Sequence, residues 1–170
     1  MPDPMAETLK ARFGAAIGDG VEFRGETTIH VTPEAIADVC AFLRDDPAAE
    51  YDFLSCVTPV DVWPDEPRFQ LNYHLYSMAR NVRLRLKVSV RDGQPVPSVT
   101  GVWPAANWFE REAYDLFGVS FSGHPDLRRL LLPDDYLGHP MRRDAPLVVE
   151  EVQFTHNFDD VDARKPYARE

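Results

Sequence analysis

Two runs of strict alternation, separated by a short turn, constrain this chain more than any other feature. Phe69, Leu71, Tyr73 and Leu75 alternate with Gln70, Asn72, His74 and Tyr76. After Ser77–Asn81, Val82, Leu84, Leu86, Val88 and Val90 alternate with Arg83, Arg85, Lys87 and Ser89. A period of two sends successive side chains to opposite faces, so each run is a strand with one side on a core. The pair reads as an antiparallel hairpin whose other side faces water or a partner.

Further elements attach to this hairpin. Leu9, Phe13 and Ile17 step by four residues, which predicts a helix over 6–17 stopped by Gly18 and Gly20. Val21–Arg24 and Thr27–Val31 read as short strands joined at Gly25. Thr32 supplies an N-cap oxygen and Pro33 a first helical residue; Ile36, Val39, Cys40 and Leu43 then define one buried face, ending near Asp46. Tyr51–Val57, mostly apolar, is expected as a central strand. Arg91–Gly93 reads as a turn and Val99–Trp103 as a short edge strand. Pro104 opens a further helix that Gly118 closes, with Phe109, Ala113 and Leu116 toward the sheet. The expected fold is α/β (α+β): two layers, a mixed but mostly antiparallel sheet of about five strands with helices on one face. An irregular C-terminal arm follows, so that 1–118 form a compact domain and 119–170 an extended, partner-binding arm.

Composition narrows the function. The chain has 170 residues and a formal charge of −10, which disfavours binding to a phosphate backbone. Lys10, Lys87 and Lys165 are its only lysines; the other fifteen cations are arginines, suited to bidentate carboxylate pairs at interfaces. Cys40 and Cys56 form no metal or redox motif and read as buried free thiols. The first residues lack a cationic stretch followed by an apolar one, so no signal peptide is expected. No apolar run approaches the roughly 20 residues of a membrane span.

From Val119 to Leu147 periodicity vanishes, and Pro125, Pro133, Pro140 and Pro146 punctuate the chain. So long an irregular stretch is uncommon unless it binds something. VQFTHNF beyond it reads as an extended strand. The preceding helix carries Glu110, Arg111, Glu112 and Asp115. Glu112 and Asp115 share a face and Arg111 can reach Asp115. As general acid and base, Glu110 and Glu112 are poorly placed, because residues two apart on a helix diverge. Salt bridges to Arg128, Arg129, Arg142 or Arg143 fit better. His124 and His139 sit in two Gly-His-Pro turns and lack the spacing of metal ligands on one helix face. No nucleophile elbow, dinucleotide fingerprint or phosphate loop is present. An arginine- and aromatic-bearing ribbon backed by an acidic helix suits a permanent protein interface.

The stretch EREAYDLFGVSFSGHPDLRRLLLPDDYLGHPMRRDAPL, Glu110 to Leu147, resembles the hallmark of the 30 kDa (C-type) subunit family of respiratory NADH:quinone oxidoreductase, complex I. YDFLSCVTPVD at Tyr51–Asp61 and FQLNYHLYS are similar to the same family; Met141 and Ala145 depart from its commoner residues. The resemblance implies a non-catalytic subunit of the peripheral arm of the proton-translocating enzyme. It would pack beside the D-type subunit, which bears the quinone site, and support electron transfer from NADH to quinone. It implies no FMN, iron–sulfur cluster, quinone site or metal in this chain, those groups residing in partner subunits; two cysteines are too few for a cluster. It places the protein peripherally on the cytoplasmic side of the bacterial inner membrane, attached through the complex; the short length is expected of a chain not fused to its quinone-site neighbour. The equivalent subunit of a ferredoxin- or hydrogenase-linked relative is the alternative. Glu110, Arg111, Glu112, Asp115, His124, Arg128, Arg129, His139, Arg142 and Arg143 are the expected interface or arm-anchoring residues.

Overall fold

A computed structural model describes residues 4–145 and 154–163. Helix α1 (Pro4–Phe13) leads into strands β1 (Ile17–Phe23) and β2 (Glu26–Val31). Helix α2 (Ile36–Asp45) follows, then strands β3 (Phe53–Asp61), β4 (Phe69–Ser77) and β5 (Val82–Val90). The two-residue strand β6 (Val96–Pro97), helix α3 (Ala106–Phe117) and strand β7 (Phe121–Ser122) complete the body, and a short helix α4 (Phe158–Asp162) lies beyond it.

The main sheet has the order β1-β2-β5-β4-β3 and is antiparallel except for the parallel β2–β5 pair. The β4–β5 hairpin pairs Phe69 with Val90 through to Ser77 with Val82, as the alternation requires. Its apolar side is buried: Phe69, Leu71, Tyr73, Leu75, Leu84, Leu86, Val88 and Val90 join Leu9 of α1, Ile36, Val39, Cys40 and Leu43 of α2, and Ala106 and Ala113 of α3 in one core. All three helices therefore lie on one face. At about 25 cal/mol per Å² of apolar surface, burying each large side chain contributes roughly 1.5–3 kcal/mol.

The structure corrects several local expectations. Helix α1 ends at Phe13, and residues 14–16 make a 3-10 turn because Gly14 adopts a positive φ of 56°. Gly18 and Gly20 lie inside β1. There the missing side chains let His30 and Ala6 approach to 3.0 and 3.1 Å of where a Cβ would stand. Thr32 makes no side-chain cap. Its carbonyl accepts from Ala35 N–H at 3.1 Å, and a 3-10 turn at Pro33–Ala35 precedes α2. The strand expected as central, β3, is an edge; β5 is central because β2 returns to pair with it. Val99–Trp103 is a turn, with Val102 and Trp103 N–H both donating to Val99 O. The Val99 N–H that a ladder would need is taken by Glu110. Cys56 is half-buried rather than buried; both cysteines are free. Of the anticipated tail strand, Val152 and Gln153 lie outside the described residues, as do Pro146 and Leu147. Phe154–Asn157 form a turn leading into α4.

Candidate functional site

Helix α3 ends where Gly118 takes the left-handed conformation, φ 77°, with its N–H on Tyr114 O at 2.8 Å. No side chain fits there: a Cβ would come within 2.6 Å of Arg142 Nη2 and of the His139 ring. From this corner the chain doubles back as an irregular ribbon along α3. The buried side of that helix is unusually charged, since Glu110 and Asp115 are wholly inaccessible and Arg111 nearly so. Buried charges persist only when paired or hydrogen-bonded; here the ribbon supplies the partners of Asp115 and Arg111, and the turn before the helix those of Glu110.

Asp115 is the principal clamp. Its Oδ2 accepts the backbone N–H groups of Leu130, Leu131 and Leu132 at 3.0, 2.7 and 2.9 Å, while Oδ1 accepts Arg129 Nη1 at 2.8 Å. Burial pushes this carboxyl upward, but the donors, Leu132 N–H and Arg129 foremost, reverse that and hold it at about 2. Arg129 also donates to Tyr136 O and Gly138 O, fixing the next turn, and His139 Nδ1 lies 2.9 Å from Asp115 O. Arg111, expected to reach Asp115, instead donates to Arg128 O and Arg129 O and stacks over Trp108. Asp115 is already filled by four donors from the ribbon.

Glu110 fastens the turn that precedes the helix. Its carboxylate accepts Ser98 Oγ at 2.6 Å and Val99 N–H at 2.7 Å, with His124 Nε2 4.0 Å away. Burial raises it to about 7, against the lowering pull of Ser98 and Val99. Since neither Glu110 nor the His124 side chain touches solvent, this pair reaches no substrate from outside. Glu112 is exposed, whereas Asp115 three residues on is buried. Arg128 is exposed and pairs with Asp126 at 2.9 Å.

The last part of the ribbon is fastened by residues that sequence reasoning missed. Buried Arg68 bridges Asp61 at 2.9 Å and Asp144 at 2.6 Å and touches Asp92 at 3.4 Å. Asp61 also accepts Arg143 N–H at 2.9 Å. Burial pushes the Asp61 carboxyl up, but Arg68 and the Arg143 and Trp63 N–H groups hold it at about 2. Arg142 donates to Phe117 O and, bidentately, to Asp92, and the Arg143 guanidinium reaches Trp63 O. The available signal was an aspartate closing an otherwise apolar strand. A bulge between Leu54 and Cys56 shifts the parity and turns Asp61 inward beside the core.

Held from behind, the ribbon turns apolar side chains outward: Leu131, Leu137 and Met141 are 62%, 93% and 55% exposed, and Trp108 of α3 is 57% exposed. Among the described residues, no three of His, Cys, Asp and Glu are grouped to hold a metal, and no helix is long and apolar enough to cross a membrane.

The model of the family described as respiratory-chain NADH dehydrogenase, 30 kDa subunit, matches residues 29–151. The C-type subunit of NADH-quinone oxidoreductase from Roseiflexus castenholzii is 51% identical over 168 residues, 96% of this chain and 97% of the relative. The Geobacter sulfurreducens protein of the same name is 49% identical over 82% of this chain and 86% of its own. A chain from the membrane-bound sulfane sulfur reductase, an archaeal respiratory membrane complex, superposes with a TM-score of 0.69 at 24% identity, covering 85% of each chain. The chain thus shares the fold of a chain of that complex. The chain belongs to the 30 kDa subunit family of respiratory-chain NADH dehydrogenase.

Proposed function

We propose that the chain is a non-catalytic structural subunit of the peripheral arm of a proton-translocating NADH:quinone oxidoreductase. In this reading it packs beside the D-type subunit that bears the quinone site. The observation that carries the reading is the ribbon, anchored by buried Asp115 and Asp61 while it exposes Leu131, Leu137 and Met141. A rigid, preorganised apolar strip lowers the ordering cost of docking and suits a permanent interface. The redox groups, FMN and iron–sulfur clusters, belong in this reading to partner subunits, since two cysteines fall short of a cluster's ligand set. Membrane attachment runs through the complex, on the cytoplasmic side of the inner membrane.

The test is retrieval of the tagged full-length chain from native membranes in mild detergent, with mass spectrometry and NADH:quinone activity of the retrieved material. A stoichiometric set of oxidoreductase subunits, the quinone-site neighbour among them, is the expected result. A set without NADH-binding subunits would transfer the reading to a ferredoxin- or hydrogenase-linked relative. A chain that comes alone would overturn it.

A further inference from the structure

The face of the main sheet opposite the helices carries a charge pattern that the ribbon does not use. Its outward positions on β5 are Arg83, Arg85, Lys87 and Ser89; those on β4 are Gln70, Asn72, His74 and Tyr76, and His30 lies across from Lys87 on β2. In a chain of net charge −10, the only acid at the outward positions of β2 to β5 is Glu26, and Arg85 takes it at 2.6 Å. Arg83 and Lys87 have no carboxylate partner among the described residues; Arg83 leans on the Tyr76 ring. Partial burial and then neighbouring Lys87 lower His30, and burial and then Arg85 lower His74, partly offset by Glu26. Burial is the larger cause at both imidazoles, and the neighbouring cation adds to it. Apolar side chains flank the cations on both outer strands: Val21 and Phe23 on β1 are 54% and 69% exposed, and Phe53 and Val60 on β3 are 50% and 45% exposed.

We infer that this open sheet face, centred on Arg83 and Lys87, is a second docking surface, and that its occupant is an acidic polypeptide segment of another protein of the complex. Five strands of six to nine residues at about 4.8 Å spacing make a face of roughly 600 Å², close to one side of a standard interface. A second copy of this chain is disfavoured, because a two-fold contact would set positive centre against positive centre. Arg83 and Lys87, on either side of the Glu26-paired Arg85 and hemmed by aromatic and aliphatic margins, fall short of the four to eight cations that hold an anionic membrane surface. They match a short run of carboxylates with apolar neighbours.

The inference rests on the proposed membership of a complex, and its test separates the two. The complex is retrieved through the tagged chain, then treated with a lysine-acetylating reagent or with a carbodiimide that joins amines to carboxylates. Free full-length chain is treated in parallel. Lys87 should be acetylated in the free chain and at least tenfold less in the complex, and it should cross-link to Asp or Glu of another subunit. Lys87→Arg should abolish that link while keeping the complex intact. Arg83→Glu with Lys87→Glu should leave the free chain's melting temperature unchanged and release the linked subunit. Equal acetylation in both samples overturns the inference while membership stands. So does a link only to a second copy, or protection that vanishes on removal of lipid. Failure to retrieve any other subunit removes both.

Discussion

At the residue scale, two buried carboxylates on one helix have opposite electrostatic fates. Asp115 is held near 2 and Glu110 near 7, because four donors converge on the first and only two on the second. For Asp115, folding favours the ionised form, so its stabilisation is present above about pH 4 and lost as pH falls toward 2. Glu110 runs the other way. Its folded form binds the proton more tightly than the unfolded chain, so its contribution is greatest below its ordinary 4.5. It declines as pH rises to about 7 and is constant above. The difference amounts to about 3 kcal/mol. Glu110→Gln should therefore flatten the stability profile between pH 4.5 and 7, read by denaturant unfolding of the full chain at half-unit steps. An unchanged slope would mean that Glu110 is ionised in the fold. Asp115→Ala should cost about 3–5 kcal/mol, since it strands Arg129 and three N–H groups together. Melting should fall, and protease cleavage should appear between residues 119 and 145.

At the scale of elements, the hairpin and the helix at 106–117 were legible because each obeys a single period, the hairpin turning at Asn81 and the helix ending at Gly118, both with positive φ. Gly118→Ala tests the helix end. The left-handed backbone alone costs an alanine about 1 kcal/mol. The clash with Arg142 and His139 adds to it, so the loss should exceed that of Gly93→Ala, where a Cβ meets nothing within 4 Å. Comparing the two melting temperatures decides the point. What stayed hidden were non-local features. The parallel β2–β5 pair joins residues about sixty positions apart, and it displaced β3 from the expected centre to the edge. The apolar character of Tyr51–Val57 reflects packing of β3 against α3, not sheet neighbours on both sides. The β3 bulge concealed Asp61 and with it the Arg68 clamp. Arg129 and Arg142 were recognisable as anchors by type and spacing. Arg129 meets Asp115 of the acidic helix, as the sequence suggested, whereas the Asp92 partner of Arg142 emerged only once the ribbon had folded back.

At the scale of the whole molecule, the fold separates holding the ribbon from presenting it. The carboxylates that hold it are buried, whereas Leu131, Leu137 and Met141, which it presents, contribute little to the core. Substitutions on the two sides should therefore have different signatures. Leu137→Glu places a charge on a side chain that is 93% exposed, so the free chain should melt as before, within the ±0.5 kcal/mol typical of surface changes. In the complex the same carboxylate would be buried without a partner, and a loss of about 2 kcal/mol or more is expected for a central apolar contact. That corresponds to roughly thirtyfold weaker retention of the neighbouring protein, measured by quantitative mass spectrometry of material retrieved through the tagged chain. Asp115→Ala should lower retention and melting together, because the strip it positions is lost with the ribbon. If Leu137→Glu lowered melting as much as Asp115→Ala does, the ribbon's outward side would be part of the chain's own packing. If it altered neither quantity, the strip would face water in the complex, and contact with the other subunits would have to run through the opposite face of the sheet.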